Sequence, residues 1–523
     1  MQSLPKSLFI FVFCVPLAIV LGIMLATPLD RSTMLLVAGG FFLLLTPFMF
    51  TGHHTFLILS WNAYVNAFFL PGKPYIWMLS AVISLFFLVL IATLNRGKIK
   101  LLFVPSVSWP LLLLGVITLV TSQVTGGVGA QSLGSDVFGG KRYIYLWLAI
   151  AAYFALSALP ADPQKRQFLA AGFFLSSVTA ALSNVAFMLG ESFFFLFLLF
   201  PVEWALTQAV SEYVIGSFTR IGGLGPASVA LVSFMLVRYG IRGLFTIRYP
   251  WRSVIFIGAI VLGLFSGFRA TFVLCMLLFG IQFFVEGLHR TKFLLIFTII
   301  FSLMAILLLP VANRLPLSVQ RCLTVLPLDL DRAAIEAARG STDWRIELWR
   351  AIVPDIPKYL LIGKGYALDP KDVYFSQSHI SLRATAPYEP ALIAGDYHNG
   401  PLTLIIPFGI WGVLAFLWFC LASLRVLVRN LKFGDPEIKN INTFLLVCFL
   451  ANLVYFIFVF GAFYLDLVRF AGIIGLSISL NHGVANRATA PVPVRESEPE
   501  PEPEPELGMP GLQPAFRRGG LQA

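Results

Sequence analysis

Residues 292–311 decide the fold class of this protein: KFLLIFTIIFSLMAILLLPV. Apart from Lys292 at its start, the stretch has no charged side chain. It also has the length of about 20 residues that a helix needs to cross the hydrocarbon core of a bilayer. Because a helix that is apolar on every side cannot present a polar face to water, the stretch predicts a membrane-spanning helix.

The same pattern recurs along most of the chain. Apolar stretches of similar length lie near 7–26, 32–50, 54–70, 75–94, 101–121, 143–159, 168–190, 226–240, 253–267, 269–287, 292–311, 400–424, 443–462 and 466–480. They predict an all-α polytopic transmembrane bundle of about 12 to 14 spans. The stretch 54–70 is the most polar, and its Trp61, Asn62, Tyr64 and Asn66 suit an interfacial or re-entrant helix equally well.

The overall composition agrees with a membrane protein. Of the 523 residues, 58% are hydrophobic and only 12% are charged, whereas about a quarter are charged in soluble domains. This deficit excludes a cytosolic enzyme, a coiled coil or a disordered scaffold. The five cysteines lie far apart, so we expect neither a disulfide nor a metal site: Cys14, Cys275, Cys322, Cys420 and Cys448.

The net charge of +11 follows from membrane topology, and we expect no nucleic-acid partner. Lysine and arginine are enriched in the short loops that lie on the cytoplasmic side of the membrane. One set of loops is basic, with Arg96, Lys98, Lys100, Lys165, Arg166, Arg238, Arg242, Arg248, Arg252, Arg290, Lys292, Arg425, Arg429, Lys432 and Lys439. The loops 191–225 and 312–399 then lie on the outer side, and the C-terminus lies in the cytoplasm.

The outer segment 312–399 is the only long polar stretch between predicted spans, and long loops in compact proteins are usually functional. Within it, residues 341–353 (STDWRIELWRAIV) predict a helix, and residues 331–339 predict a shorter one. After the last span, alternating Glu-Pro from Glu498 to Glu506 predicts an extended, disordered tail.

Four outer arginines are candidate anion-binding residues, because an arginine near the membrane is costly unless an anion compensates its charge. Arg220 precedes a span, Arg269 lies in the turn FSGFRATF, and Arg345 and Arg350 lie on the loop helix, where Trp349 shares a face with Arg345. Each arginine could instead be an interfacial anchor or part of a surface ion pair.

His398, in GDYHNGPL, is the candidate proton acceptor. An imidazole with a pKa near 6.5 can accept a proton at neutral pH, and Asp396 or Asn399 could orient it or bind a substrate. The alternative is a histidine that caps or packs a helix start. His379 in the same loop is a competing candidate.

These residues together resemble the O-antigen ligase and polymerase family of bacterial membrane glycosyltransferases. The resemblance rests on an ordered set of motifs: SGFR at 266–269, R-x-x-x-W at 345–349, P-x-Y-L-L-I-G-K-G-Y at 357–366, HN at 398–399 and G-I-W-G at 409–412. It covers about 200–420 well. Many members have Ser where this chain has Phe268.

The resemblance implies a fold related to the C-type glycosyltransferases and a location in the bacterial inner membrane. It implies transfer of a glycan from undecaprenyl pyrophosphate to an acceptor hydroxyl on the periplasmic face, without metal, nucleotide or other cofactor. The acceptor is lipid A core of lipopolysaccharide, a growing polysaccharide or another hydroxyl. By position, Arg269, Arg345 and His398 become the catalytic residues and Arg220 a further substrate-binding residue. We expect Arg350, Trp349, Asn399 and Asp396 also to bind substrate.

With this resemblance, four regions are predicted. They are N-terminal spans in 1–199, a catalytic region in 200–424 that includes the loop 312–399, C-terminal spans in 425–480 and the tail 481–523. The competing hypothesis is a transporter or flippase for a lipid-linked sugar. Such a protein needs ionisable residues at midplane depth or paired broken helices, whereas the charged residues here cluster at the ends of spans.

Overall fold

A computed structural model describes residues 31–70, 72–94, 101–128, 140–215, 219–367 and 388–486, together with Val15, Ala18, Ile19 and Gly22. Four sequence predictions fall wholly or, for the first of them, mostly outside these residues. They concern the span 7–26, the basic residues at 96–100, His379 and the Glu-Pro tail.

Helices form the described structure. They are α1 (Arg31–Ser60), α2 (Ile76–Leu94), α3 (Pro105–Thr125), α4 (Gly140–Ser157), α5 (Arg166–Leu175), α6 (Ala181–Leu189), α7 (Glu203–Ala209), α8 (Leu224–Leu244), α9 (Pro250–Leu264), α10 (Arg269–Val285), α11 (Lys292–Leu308), α12 (Leu317–Leu323), α13 (Arg332–Ile352), α14 (Ile356–Tyr359), α15 (Glu389–Ala394), α16 (Gly400–Phe433), α17 (Lys439–Phe458) and α18 (Phe463–Leu480). In this part of the chain, β pairing is limited to an isolated bridge between Asn66 and Tyr75.

The prediction of an all-α polytopic membrane protein is confirmed. Among the described residues, seven helical segments are long and apolar enough to cross a membrane: α2, α3, the segment Pro163–Leu189 that contains α5 and α6, α8, α16, a segment containing α17, and α18. Three shorter apolar helices, α9, α10 and α11, accompany them.

The N-terminal part differs from the sequence prediction, because 32–50 and 54–70 are not two separate spans. Helix α1 runs through both as far as Ser60, and an irregular segment follows. The two polar residues His53 and His54 lie inside α1 without interrupting the helix, because the imidazole of each is hydrogen-bonded. His53 Nδ1 lies 2.9 Å from Ser84 Oγ, and His54 Nε2 lies 2.9 Å from the Leu156 carbonyl oxygen.

Short connections make consecutive helices antiparallel and so sort the loops between two ends of the bundle. The α8–α9 and α16–α17 loops lie at the end that carries the predicted basic residues, where Arg166 forms a 2.8 Å ion pair with Asp435. The α9–α10 turn, the start of α16 and the α17–α18 turn therefore lie at the opposite end, which we call the site end.

The segment 312–399 contributes one long helix where the sequence predicted two. Helix α13 runs from Arg332 to Ile352 through Gly340, whose surroundings are open space. Asp331 caps its start by accepting a hydrogen bond from the Ala333 amide at 2.8 Å. Because glycine in a helix costs only about 0.5–1 kcal/mol, the capped and packed helix continues through it.

Two motifs of the family resemblance meet each other in the fold. Helix α16 has a non-helical residue at Gly409, and the segment 360–366 lies against this interruption. The Lys364 amide donates to the Ile406 carbonyl at 2.8 Å, and the Ile410 amide donates to the Leu360 carbonyl at 2.8 Å. A Cβ atom on Gly363 would overlap the Pro407 carbonyl group.

Gly363→Ala is therefore expected to destabilise the protein by about 1–3 kcal/mol, because the overlap is with backbone rather than with a flexible side chain. Gly340→Ala is the matched control, and we expect it to be neutral or slightly stabilising. Thermal unfolding of the purified protein in detergent measures both. Equal unfolding temperatures for the two variants would contradict the packing described above.

Candidate active site

A cavity of about 430 Å³ opens among the site-end halves of α8, α10, α17 and α18. Its walls are largely apolar and include Phe173, Leu274, Leu278 and Ile473. Arg345, from the middle part of the loop 312–399, and His398, from its end, both line it. The tertiary structure thus brings together two of the three predicted catalytic residues in one cavity.

His398 is held in a defined orientation by its backbone and by two aromatic rings. Its φ of +50° lies in the left-handed region, which costs a residue with a Cβ about 1–3 kcal/mol. The ring centroids of Trp344 and Phe460 lie 5.1 Å and 5.0 Å from that of the imidazole, both edge to face. This strained and clamped arrangement directs the imidazole into the cavity.

The two nitrogens of His398 have different surroundings. Nε2 lies 3.9 Å from Asp396 Oδ2, whereas Nδ1 is buried and has no hydrogen-bond partner in the described structure. The carboxylate favours a proton on Nε2, which leaves the Nδ1 lone pair free. Burial lowers the pKa of His398, Asp396 raises it, and Arg345 lowers it. The combined effect is a pKa below the usual value of 6.5. The ring is therefore neutral and able to accept a proton at neutral pH.

Arg345 lies beside the imidazole, on α13. Its guanidinium carbon is 5.8 Å from the centre of the Phe460 ring, so one aromatic ring contacts both His398 and Arg345. Burial and the neighbouring Arg269 lower the pKa of Arg345. Neither Arg345 nor Arg269 forms an ion pair with a carboxylate of the described residues.

Arg269 begins α10 after the turn 265–268 and lies beside the cavity, next to Arg345. Its Nη2 donates to the Ala338 carbonyl at 2.9 Å and to Thr342 Oγ1 at 3.0 Å, which joins α10 to α13. In the same turn, Gly267 has a φ of +69°, and a Cβ there would lie 2.9 Å from Cγ of Arg220. The glycine of the SGFR motif therefore gives the Arg220 side chain room to pack against the turn.

Arg321 is a fourth arginine beside Arg220, Arg269 and Arg345, and none of the sequence motifs includes it. Its Nη1 donates to the Gly267 carbonyl at 2.8 Å and its Nη2 to Ser341 Oγ at 2.6 Å. Burial, together with Arg220 and Arg269, lowers the pKa of Arg321 to about 9. The available sequence signal was a single charged residue in the short helix α12 (LSVQRCL).

The arginine cluster, Arg220, Arg269, Arg321 and Arg345, concentrates positive charge beside His398. Arg321 lies within electrostatic range of the other three. Desolvated like charges raise the free energy of the site unless an anion compensates them. Since guanidinium groups bind phosphate oxygens in a bidentate manner, the cluster has the chemistry of a phosphate or pyrophosphate site.

The remaining predicted substrate-binding residues take other positions. Trp349 Nε1 donates to the Tyr397 carbonyl at 2.8 Å, and Asn399 caps α16 by accepting from the Leu402 amide at 3.1 Å. Both contacts fix the backbone on either side of His398. Arg350 is exposed. Their predicted contacts with substrate stay predictions.

A second arginine that the sequence analysis passed over also supports His398. Arg142, at the start of α4, donates to the Ala394 carbonyl. Its guanidinium carbon lies 5.4 Å and 5.0 Å from the ring centres of Tyr366 and Tyr464. Arg142 thus fixes the turn that leads into His398.

In the part of the chain described, no three His, Cys, Asp or Glu side chains group as a metal site.

Comparison with known proteins agrees with this geometry. Residues 253–417 match the family model described as O-antigen ligase. The match includes Arg269, Arg321, Arg345 and His398, whereas Arg220 precedes it. No curated protein matches the chain. The resemblance inferred from the motifs is confirmed over the matched residues, and it indicates a glycosyltransferase-like enzyme of the O-antigen ligase or polymerase type in a multi-pass membrane protein.

Proposed function

We propose, from the O-antigen ligase region at 253–417, that this protein transfers a glycan from undecaprenyl pyrophosphate to an acceptor hydroxyl. The observation that carries the proposal is the convergence of Arg345 and His398 at one cavity with apolar walls, with the rest of the arginine cluster close to Arg345. The acceptor is lipid A core, a growing polysaccharide or another hydroxyl compound.

The proposed face of the reaction is the periplasmic one, in the bacterial inner membrane. The site end lies opposite the α8–α9 and α16–α17 loops, which carry the basic residues expected in the cytoplasm. With this orientation, the described chain ends in the cytoplasm after α18. Nucleotides are scarce in the periplasm. A donor that already carries its pyrophosphate leaving group needs no nucleotide for activation, so it suits this location.

The proposed reaction is a direct displacement with inversion at the anomeric carbon. The acceptor oxygen forms a bond to that carbon while the bond to the pyrophosphate oxygen breaks and its electron pair stays on the pyrophosphate. The hydroxyl proton passes to the unprotonated ring nitrogen of His398, whose side chain lines the cavity. Arg269 and Arg345 stabilise the charge that develops on the leaving group, so the reaction needs no metal ion.

The proposal is tested with the full-length protein in proteoliposomes. Undecaprenyl-pyrophosphate oligosaccharide from the cells that make the protein is the donor, and lipid A core or isolated polysaccharide is the acceptor. We expect a glycosylated product and released undecaprenyl pyrophosphate in equal amounts. Movement of intact donor across the bilayer without its consumption would instead indicate a transporter. Deletion of the gene, followed by analysis of the surface polymers and accumulated donor, identifies the product.

The pH dependence of this reaction follows from the surroundings of His398. The base acts in its neutral form, so kcat/KM rises with pH through the pKa of the free enzyme. Because that pKa is shifted downward, the midpoint of the acid limb is expected below pH 6.5. Asp396→Asn removes a contribution that raises the pKa, and it should move the midpoint further down. An upward movement in this variant would contradict the assignment of His398 as the base.

A further inference from the structure

Below His398 and Arg345, the cavity has a second set of polar side chains, which we call the polar layer: Tyr64, Asn452, Tyr455 and Arg469. Asn452 lies six residues before the end of α17, and Arg469 lies six residues after the start of α18. At 1.5 Å per residue, both lie about 9 Å from the helix ends at the site end. Asn452 and Arg469 therefore lie at the same depth in the cavity.

An ion pair makes the polar layer electrically neutral. Arg469 Nη1 lies 2.6 Å from Asp466 Oδ1, and the Asp466 side chain is only 6% exposed, whereas that of Arg469 is 43% exposed. Since Arg469 lines the cavity, this exposed surface is available to a ligand. Asp466 also accepts a hydrogen bond from the Ala462 amide at 2.8 Å. The pair thus presents hydrogen-bond donors without a net charge that requires an anion.

The other members of the polar layer add hydroxyl and amide groups beside aromatic rings. Arg469 lies close to the Tyr64 side chain, and the Tyr64 ring lies 5.7 Å from that of Trp204. The Asn452 amide nitrogen donates to the Cys448 carbonyl at 2.7 Å, which leaves its side-chain oxygen for a ligand. Charge-neutral donors and acceptors next to aromatic rings suit a compound with hydroxyl groups and apolar ring faces.

We propose that the polar layer binds one sugar ring of the reaction, so that the cavity holds the saccharide below the arginine cluster. This inference rests on the proposed function. The anomeric carbon must lie between His398 and the pyrophosphate, and the cavity continues from there to the polar layer. A cavity of about 430 Å³ falls in the range of small-molecule sites. The sugar is either the first residue of the donor or the acceptor residue.

The test uses two variants that alter the polar layer with little change to the fold. Asn452→Leu removes the amide and leaves the ion pair intact, and Arg469→Lys keeps the charge but loses the planar guanidinium. Arg166→Lys is the matched control, because Arg166 forms its ion pair with Asp435 at the opposite end of the bundle. Dissociation constants are measured in detergent for glycan-bearing undecaprenyl pyrophosphate and for bare undecaprenyl pyrophosphate, and KM is measured for the acceptor.

For a donor sugar in the polar layer, both variants weaken binding of the glycan-bearing carrier about 10-fold and leave binding of the bare carrier unchanged. For an acceptor sugar, they raise the acceptor KM by a similar factor and leave both carriers unchanged. Either result supports the proposal. Equal weakening of both carriers, or no change in any constant, overturns it. If neither carrier binds to the unaltered protein, the proposed function fails, and the inference fails with it.

Discussion

Replacement of His398 is expected to lower kcat about 10²- to 10⁴-fold, because the variant cannot take the proton from the acceptor hydroxyl. His398→Asn is the more informative substitution, since asparagine adopts a positive φ more readily than most residues. It preserves the backbone at φ +50° and removes only the imidazole. His398→Ala should lose a similar amount of activity. Initial rates of product formation in proteoliposomes at saturating donor measure the effect.

A matched control for this experiment lies at the other end of the bundle. His482 also has a positive φ, of 55°, and it contacts Arg166 and the Ala161 carbonyl. We expect His482→Asn to retain nearly full activity. If His398→Asn were as active as this control, His398 would not be the base, and its strained conformation would need another explanation.

Loss of a guanidinium from the arginine cluster is the second large effect. Arg345→Gln and Arg269→Gln are each expected to lower kcat/KM for the donor about 10²- to 10³-fold, because in the proposed reaction each removes a hydrogen-bond donor to the leaving pyrophosphate. Arg345→Lys should recover only part of the activity, since an ammonium group cannot form the bidentate contact. Steady-state rates at varied donor concentration measure these changes.

The control for the arginine variants comes from the same helix. Arg339 lies on α13 and is exposed, so Arg339→Gln changes the net charge by the same amount without altering the cavity. It should retain nearly full activity. Comparable losses in Arg339→Gln and Arg345→Gln would show that overall charge, rather than a contact with the leaving group, controls the rate.

A double variant distinguishes a direct contact of Arg269 with pyrophosphate from an effect of Arg269 through α13. Arg269 donates to Ala338 and Thr342 of α13, so its replacement also loosens the helix that carries Arg345. If Arg269 acts only through α13, the loss for the double variant Arg269→Gln/Arg345→Gln equals that for Arg345→Gln alone. If both guanidinium groups contact pyrophosphate, the double variant loses more.

The sequence by itself determined the fold class, because the polarity of a helix's side chains shows whether the helix faces water or lipid. A stretch such as 292–311 has no polar face for water, so it predicts a helix that is surrounded by lipid or by other helices. Short motifs in the sequence also predicted Arg269, Arg345 and His398 as catalytic residues. These are local properties, so no tertiary contact is needed to recognise them.

Only the tertiary structure decided which residues share the cavity. Arg321 and Arg142 were missed, because isolated arginines outside a motif do not differ in sequence from interfacial anchors. The polar layer combines residues as distant as Tyr64 and Arg469, and their meeting depends on how α17 and α18 pack against the segment after α1. Helix packing sets the position of one element relative to another, and no periodicity within a single helix contains that information.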